Sequence, residues 1–169
     1  MNSQLKNTLA YIGLGSNLSD PAKQITLAVE AIKNIPHSNI QSLSSLYFSR
    51  PMGPKDQPDY MNAVLSIETN LSSIALLDTL QAIENKAGRV RKDNRWGARI
   101  LDLDILLFGN ETIENERLTI PHYGLKIREF VVLPLAEINQ TLVLPCGTTI
   151  ESLAENIPHN DLKIHSQLR

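Results

Sequence analysis

Asp102 and Asp104 stand two residues apart in the run Arg99-Ile100-Leu101-Asp102-Leu103-Asp104-Ile105. On a strand that spacing puts both carboxylates on one face, with Cα atoms roughly 6.6 Å apart, so the pair can converge on hard cations. Oxygen-only ligands favour Mg²⁺, which typically takes one or two carboxylates together with waters and phosphate oxygens. Just before the pair, residues 86–99 carry Lys86, Arg89, Arg91, Lys92, Arg95 and Arg99 against a single acid, Asp93, in a chain whose net charge is −2. Basic charge this concentrated invites an anion. A polyphosphate would supply the oxygens the aspartates lack, and two metals about 3.5–4 Å apart could share the carboxylates. The arginines would neutralise charge as it moves during phosphoryl transfer. Together these residues read as a magnesium nucleotide site.

Each part alone has a plainer reading. An Asp-x-Asp on a strand is common by chance, and an arginine run is more often a solvated loop; adjacency of the two carries the argument. Gly13-x-Gly15-Ser16-Asn17 lacks both the third glycine of a dinucleotide fingerprint and the lysine of a P-loop, so it reads as a turn. Trp96, the only tryptophan, sits in the charged segment, where it either stacks on a flat heterocycle or anchors the loop. The four histidines show no metal spacing, and His122 reads as structural.

The positioning elements alternate along the chain. Leu9 to Leu14 reads as a buried strand closed by the glycines, and Asp20-Pro21 as a helix start. Apolar residues at Ile25, Ala28, Val29, Ile32 and Ile35 keep helical spacing up to Pro36. A hydroxyl-rich strand, Ile40 to Phe48, leads into the proline-punctuated run SRPMGPKDQPDY, and a second strand follows from Asn62 to Thr69. A helical stripe runs from about Ser72 to Ala87, with Gly88 as its C-terminal cap. The strand Ile100 to Phe108 then puts Leu101, Leu103, Ile105 and Leu107 on one face and Asp102, Asp104, Leu106 and Phe108 on the other. The order β-α-β-β-α-β predicts an α+β fold, the ferredoxin-like plait, with an antiparallel sheet and both helices on one face. Short pieces around 118–123, 131–138 and 149–156 predict an added hairpin and helices that cap the sheet.

The chain has 169 residues, 42% hydrophobic and 20% charged, a globular composition that predicts one domain over 1–169 with 1–8 as a flexible tail. A net charge of −2 gives no overall field for nucleic acid or an anionic membrane. The single Cys146 cannot form an internal disulfide, which suits a reducing compartment. No apolar run approaches the about 20 residues of a membrane span, and the N-terminus lacks a secretory core. The expectation is a cytoplasmic monomer acting on small molecules, without nucleic-acid or membrane partners.

Four segments carry a family resemblance: Tyr11-Ile12-Gly13-Leu14-Gly15-Ser16-Asn17-Leu18, Gly53 to Asn62, Gly88 through Ile105, and Leu118-Thr119-Ile120-Pro121-His122-Tyr123. They resemble the 6-hydroxymethyl-7,8-dihydropterin pyrophosphokinases of the folate pathway over about residues 9–158. The Arg-Trp-Gly-x-Arg-x-Leu-Asp-Leu-Asp string is the most specific part. The resemblance implies transfer of the β,γ-pyrophosphoryl group of ATP to the hydroxymethyl oxygen of the dihydropterin, leaving AMP. It further implies that Asp102 and Asp104 hold two Mg²⁺ ions and that Arg89 and Arg99 are the catalytic arginines. Met52, Gly53, Tyr60, Asn62, Trp96 and Phe130 would line the pterin pocket, with Trp96 and Phe130 sandwiching the ring and Asn62 reading its edge. Gln81, Glu84, Arg91, Arg95, Ile105, Arg117, Thr119, His122, Tyr123 and Arg128 would surround ATP. One stretch departs from the family pattern: Ser49-Arg50-Pro51-Met52-Gly53 stands where Thr-x-Pro-x-Gly is common.

Two other classes compete. A ferredoxin-like sheet with a basic strip can bind RNA, but the aromatic run expected on a central strand is missing and the aspartates would repel a phosphate backbone. A nucleotide-sugar transferase also uses Asp-x-Asp, but the chain is short and lacks a wound α/β nucleotide-binding half.

Overall fold

A computed structural model describes residues 7–17, 20–49, 60–87, 101–159 and 162–167. Its sheet is antiparallel. Strand β1 (Thr8–Ser16) lies between β4 (Tyr60–Thr69) and β5 (Asp102–Phe108), and β4 carries β2 (Ser38–Leu43) and β3 (Ser45–Ser49) end to end along its other side. A last strand, β8 (Lys163–Gln167), pairs with β3 and forms the edge. Strands β6 (Ile113–Glu114) and β7 (Thr119–Ile120) make a separate two-stranded hairpin.

Helices α1 (Pro21–Lys33) and α2 (Ser73–Lys86) cover one face, as the sequence predicts. Ile25, Ala28 and Ile32 of α1 and Leu76 and Leu80 of α2 meet Ala10, Ile12, Leu14, Leu65, Ile67, Leu103 and Ile105 of the strands, all buried. Burying each Leu or Ile is worth about 1.5–3 kcal/mol. Ser72 caps α2 by accepting the Ala75 N–H at 3.1 Å. Asp20 does not cap α1 through its side chain: its φ is 63° and only its carbonyl joins the helix, accepting from Gln24 N at 3.0 Å. The helix stops at Lys33, with Asn34 as its cap, before Pro36 is reached.

The opposite face is covered in part. α3 (Glu129–Ile138) and α4 (Ile150–Asn156) bury Val131, Val132, Leu135 and Ile150 against Tyr11, Val64, Leu106 and Leu107. A register shift opposite Tyr11 and Ile12 inserts Leu106 as an extra residue, so Leu107 turns to the α3 side and Phe108 returns to the first core, the reverse of strict alternation. Glu137 fastens α3 to β3, accepting from Ser45 N (2.9 Å), Ser45 Oγ (2.7 Å) and the Tyr47 hydroxyl (2.8 Å).

Four further expectations change. Thr8, placed in the tail, pairs with Thr69 as the first residue of β1. The strand over 40–48 is interrupted at Ser44, which exchanges bonds with Val64: its N–H donates to the Val64 carbonyl and its Oγ accepts from Val64 N, each at 2.9 Å. Gly13 and Gly15 are no turn; both sit inside β1, paired on each side. β8 has no counterpart in the sequence reading. The Gly88 cap lies outside the described residues. Among those residues, no helix is long and apolar enough to cross a membrane.

Candidate functional site

β5 is two-faced at its start. Leu103 and Ile105 point into the first core, so Asp102 and Asp104 emerge on the other side, beyond the end of the cover given by α3. Both are half-buried, Asp104 with 48% of its side chain exposed. The backbone between them is held from beneath: Leu103 N donates to Glu84 Oε2 at 2.7 Å, and Glu84, on α2, is only 6% exposed. A buried carboxylate thus fixes the peptide that carries the pair.

Two hollows adjoin Asp104. The larger, about 340 Å³, is bounded by Gln81 and Glu84 of α2, Asp104 and Ile105 of β5, and Arg117, Thr119, His122 and Tyr123 of the hairpin and the turn after it. At its rim, Arg117 donates to Asp78 Oδ1 (2.6 Å) and Gln81 Oε1 (3.2 Å), joining the hairpin to α2. Asn115 shapes the turn behind Arg117 by accepting from Arg117 N (2.9 Å) and Leu118 N (3.0 Å). The smaller hollow, about 40 Å³, lies over the sheet between Gly13, Gly15, Asn62 and Asp104, with Arg128 and Phe130 at its side. Asp104 and His122 line both.

His122 is the hinge between them. Its N–H donates to the Leu106 carbonyl at 3.0 Å, and its Nδ1 accepts from Gly124 N at 3.0 Å, which leaves Nε2 as the protonated nitrogen of the neutral ring. That Nε2 lies 3.9 Å from Asp104 Oδ2. Burial is the main influence on the ring and lowers its pKa below the ordinary histidine range; Asp104 pulls it upward and Arg128 adds to the lowering. The imidazole is therefore a neutral donor beside a carboxylate. Tyr123 stacks on it, centroids 4.5 Å apart, and the Arg128 guanidinium lies over both Tyr123 (5.3 Å) and Phe130 (5.7 Å).

The structure thus brings together Gln81, Glu84, Asp104, Ile105, Arg117, Thr119, His122 and Tyr123 in one hollow and Asn62, Asp104, Arg128 and Phe130 around the other. Asp102 shares the face of Asp104, one ladder step from Gly15 and two from Asn62. Tyr60 opens β4 opposite Ser49 and borders neither hollow. Met52, Gly53, Arg89, Arg91, Arg95, Trp96 and Arg99 lie outside the described residues, as does the stretch from Arg50 that departs from the family pattern. Sequence reasoning missed Asp78, Asn115 and the glycines of β1. His122, read from sequence alone as structural, lines both hollows, and only the motif around it pointed to the site. Among the described residues no three of His, Cys, Asp and Glu cluster as a metal cage. The aspartate pair instead fits a magnesium mode in which waters and phosphate oxygens complete the shell.

Comparison with known proteins shows the family of the chain. Residues 11–140 match the family described as 7,8-dihydro-6-hydroxymethylpterin-pyrophosphokinase. A Haemophilus influenzae protein named 2-amino-4-hydroxy-6-hydroxymethyldihydropteridine pyrophosphokinase is 54% identical over 157 residues, covering 92% of this chain and 98% of that one. One of the same name from Pseudomonas aeruginosa is 46% identical, covering 90% and 94%. Among solved structures, the Plasmodium falciparum HPPK-DHPS with pteroate superposes with a TM-score of 0.71 at 15% identity, over 92% of this chain. This chain spans 43% of that longer one, and the likeness shows a shared fold.

Proposed function

The chain belongs to the 7,8-dihydro-6-hydroxymethylpterin pyrophosphokinase family, whose reaction passes a pyrophosphoryl group to hydroxymethyldihydropterin in folate biosynthesis, and on that premise we propose how its two hollows divide the work. ATP occupies the larger hollow and the pterin lies over the sheet with one edge in the smaller one. The observation that carries this reading is the shared wall: Asp104 and His122 border both spaces, so the phosphates of one ligand and the hydroxymethyl group of the other meet there.

Asp102 and Asp104 would hold two Mg²⁺ ions, which when bound supply charge neutralisation at the phosphate oxygens. Asn62 reads the polar edge of the pterin, and Phe130, with the Arg128 guanidinium over its ring at 5.7 Å, gives the pterin a flat surface. His122 offers its Nε2 proton to phosphate oxygens without adding full charge. Arg117 and Gln81 meet the nucleotide at the α2 rim. The hydroxymethyl oxygen attacks the β-phosphorus in line; its bond to phosphorus forms as the α,β bridging bond breaks, the hydroxyl proton is released, and AMP leaves. Holding both reactants against one wall turns a bimolecular encounter into a positioned one. Arg89 and Arg99 as catalytic arginines, Arg91 and Arg95 at ATP, and Met52, Gly53, Tyr60 and Trp96 at the pterin rest on the family motifs.

The sheet order β5-β1-β4-β2, antiparallel throughout with α1 and α2 on one face, supports the ferredoxin-like plait as the scaffold. In this reading residues 1–169 act as one domain, a cytoplasmic monomer. The test is calorimetric titration of a dihydropterin analogue with and without a non-hydrolysable ATP analogue and Mg²⁺, followed by product analysis with the true substrates. Tight, nucleotide-dependent pterin binding with release of AMP is the expected result. ADP as product, or turnover unaffected by removing Mg²⁺, overturns the reading.

A further inference from the structure

β1 spends a glycine where its backbone does not need one. Gly15 lies outside the left-handed region, next to the last residue of β1 and paired on both sides, where glycine is a weak choice and often marks the close approach of a ligand. Its ladder partners are Asn62 on β4 and Asp102 on β5. The three residues form one rung across the sheet, and two strand spacings put its ends about 9.6 Å apart, comparable to a two-ring heterocycle with a one-carbon arm. Gly15 is the middle of that rung, and nothing rises from it. A Cβ built there stands 3.1 Å from Asn62 Oδ1, closer than ordinary contact, and Asn62 is 6% exposed with little room to yield. Gly13, one step along, contrasts: its Cβ would meet only the end of the Leu106 side chain, at 3.4 Å.

We propose that Gly15 is a positioning residue whose missing side chain keeps the Asn62 carboxamide aligned, across a bare strand, with Asp102, so that the acceptor's polar edge and its reacting oxygen share one rung. The inference rests on the placement of the pterin proposed above. A methyl group at position 15 pushes the carboxamide by a few tenths of an ångström out of that alignment. The nucleotide hollow does not include Gly15 and is untouched.

Steady-state kinetics of Gly15→Ala against wild type test this. The expected result is an increase of about tenfold or more in KM and Kd for the dihydropterin, with KM for ATP and the melting temperature within error of wild type. Gly15→Ala in an Asn62→Ser background adds no further increase, because the contact is gone. An unchanged pterin KM in Gly15→Ala, or equal increases in the two substrates' KM values, overturns the proposal. So does an undiminished effect of Gly15→Ala on the Asn62→Ser background, which also serves if the single variant fails to fold. Wild-type protein that makes AMP while Gly15→Ala behaves normally removes this inference alone. Wild type that does not turn over the pterin removes the functional reading and this inference with it.

Discussion

Two side chains show how far local surroundings set reactivity in this molecule. Asp104 has His122 Nε2 at 3.9 Å and Arg117 at the rim of the same hollow, donors suited to phosphate, and Asp102 two residues before it on one face, a second carboxylate suited to a metal ion that bridges to that phosphate. Removing one preorganised electrostatic group typically costs about 10² to 10³ in rate, so Asp102→Ala and Asp104→Ala are each expected to lose about that much in kcat while melting like wild type. AMP release and a thermal scan check the two halves of that statement; a fast, folded variant contradicts it. Cys146 is a different case. It is exposed, its thiol bonded to Thr148 Oγ1 at 3.3 Å, and the hydrogen bonds of Thr148 first, then Lys126, lower its pKa to about 7. Its thiolate fraction at neutral pH is therefore higher than that of an ordinary thiol near 8.5, which is almost wholly protonated there. Iodoacetamide at pH 7 is expected to label Cys146 several times faster than a free cysteine, and Thr148→Ala to slow the labelling.

Between elements, single carboxylates do the fastening. Glu84 joins α2 to the peptide between the two aspartates, so Glu84→Ala strands a buried N–H as well as removing a wall of the larger hollow. The expected cost is about 1–3 kcal/mol in stability, read by denaturant unfolding, together with a fall in kcat/KM. Glu137 joins α3 to β3, and there pH offers the probe. Burial first, then the hydrogen bond and charge of Glu137, raise the Tyr47 pKa above the usual phenol value. The unfolded chain therefore releases that proton before the folded one. The stabilisation is whole below about pH 10 and declines as pH rises beyond it; Tyr47→Phe should flatten that alkaline slope in urea midpoints. The sequence made some of these elements legible and hid others for physical reasons. A period of two places Asp102 and Asp104 on one face whatever surrounds the strand, and helical spacing with Ser72 marks α2. The glycines of β1 are unreadable alone, because a residue that permits turns looks the same when it serves closeness to a ligand. Leu107 and Phe108 change faces through a bulge that only the partner strand defines. Asp78 meets Arg117 across 39 residues of chain, and no spacing rule reaches so far.

At the scale of the whole molecule, one sheet serves as both core and work surface. Its first face is closed by α1 and α2, and its second is closed by α3 and α4 over Tyr11, Val64 and Leu106, with the smaller hollow beside that cover over Gly13, Gly15 and Asn62. The strands run on beneath that hollow with their ladders intact. Access to it therefore breaks none of the sheet's backbone bonds. That arrangement has a signature in deuterium uptake. Amides of central strands exchange only when much of the molecule opens, and β1 is bonded on both sides from Ala10 to Gly15. The amides of Gly13 and Gly15 are expected to exchange with the slowest class, alongside Ile12, although both residues line the smaller hollow. Proteins that bind on loops show their ligands as local slowing; here the floor is expected to exchange by whole-molecule opening, so a bound ligand should slow it only as far as it slows the rest of the sheet.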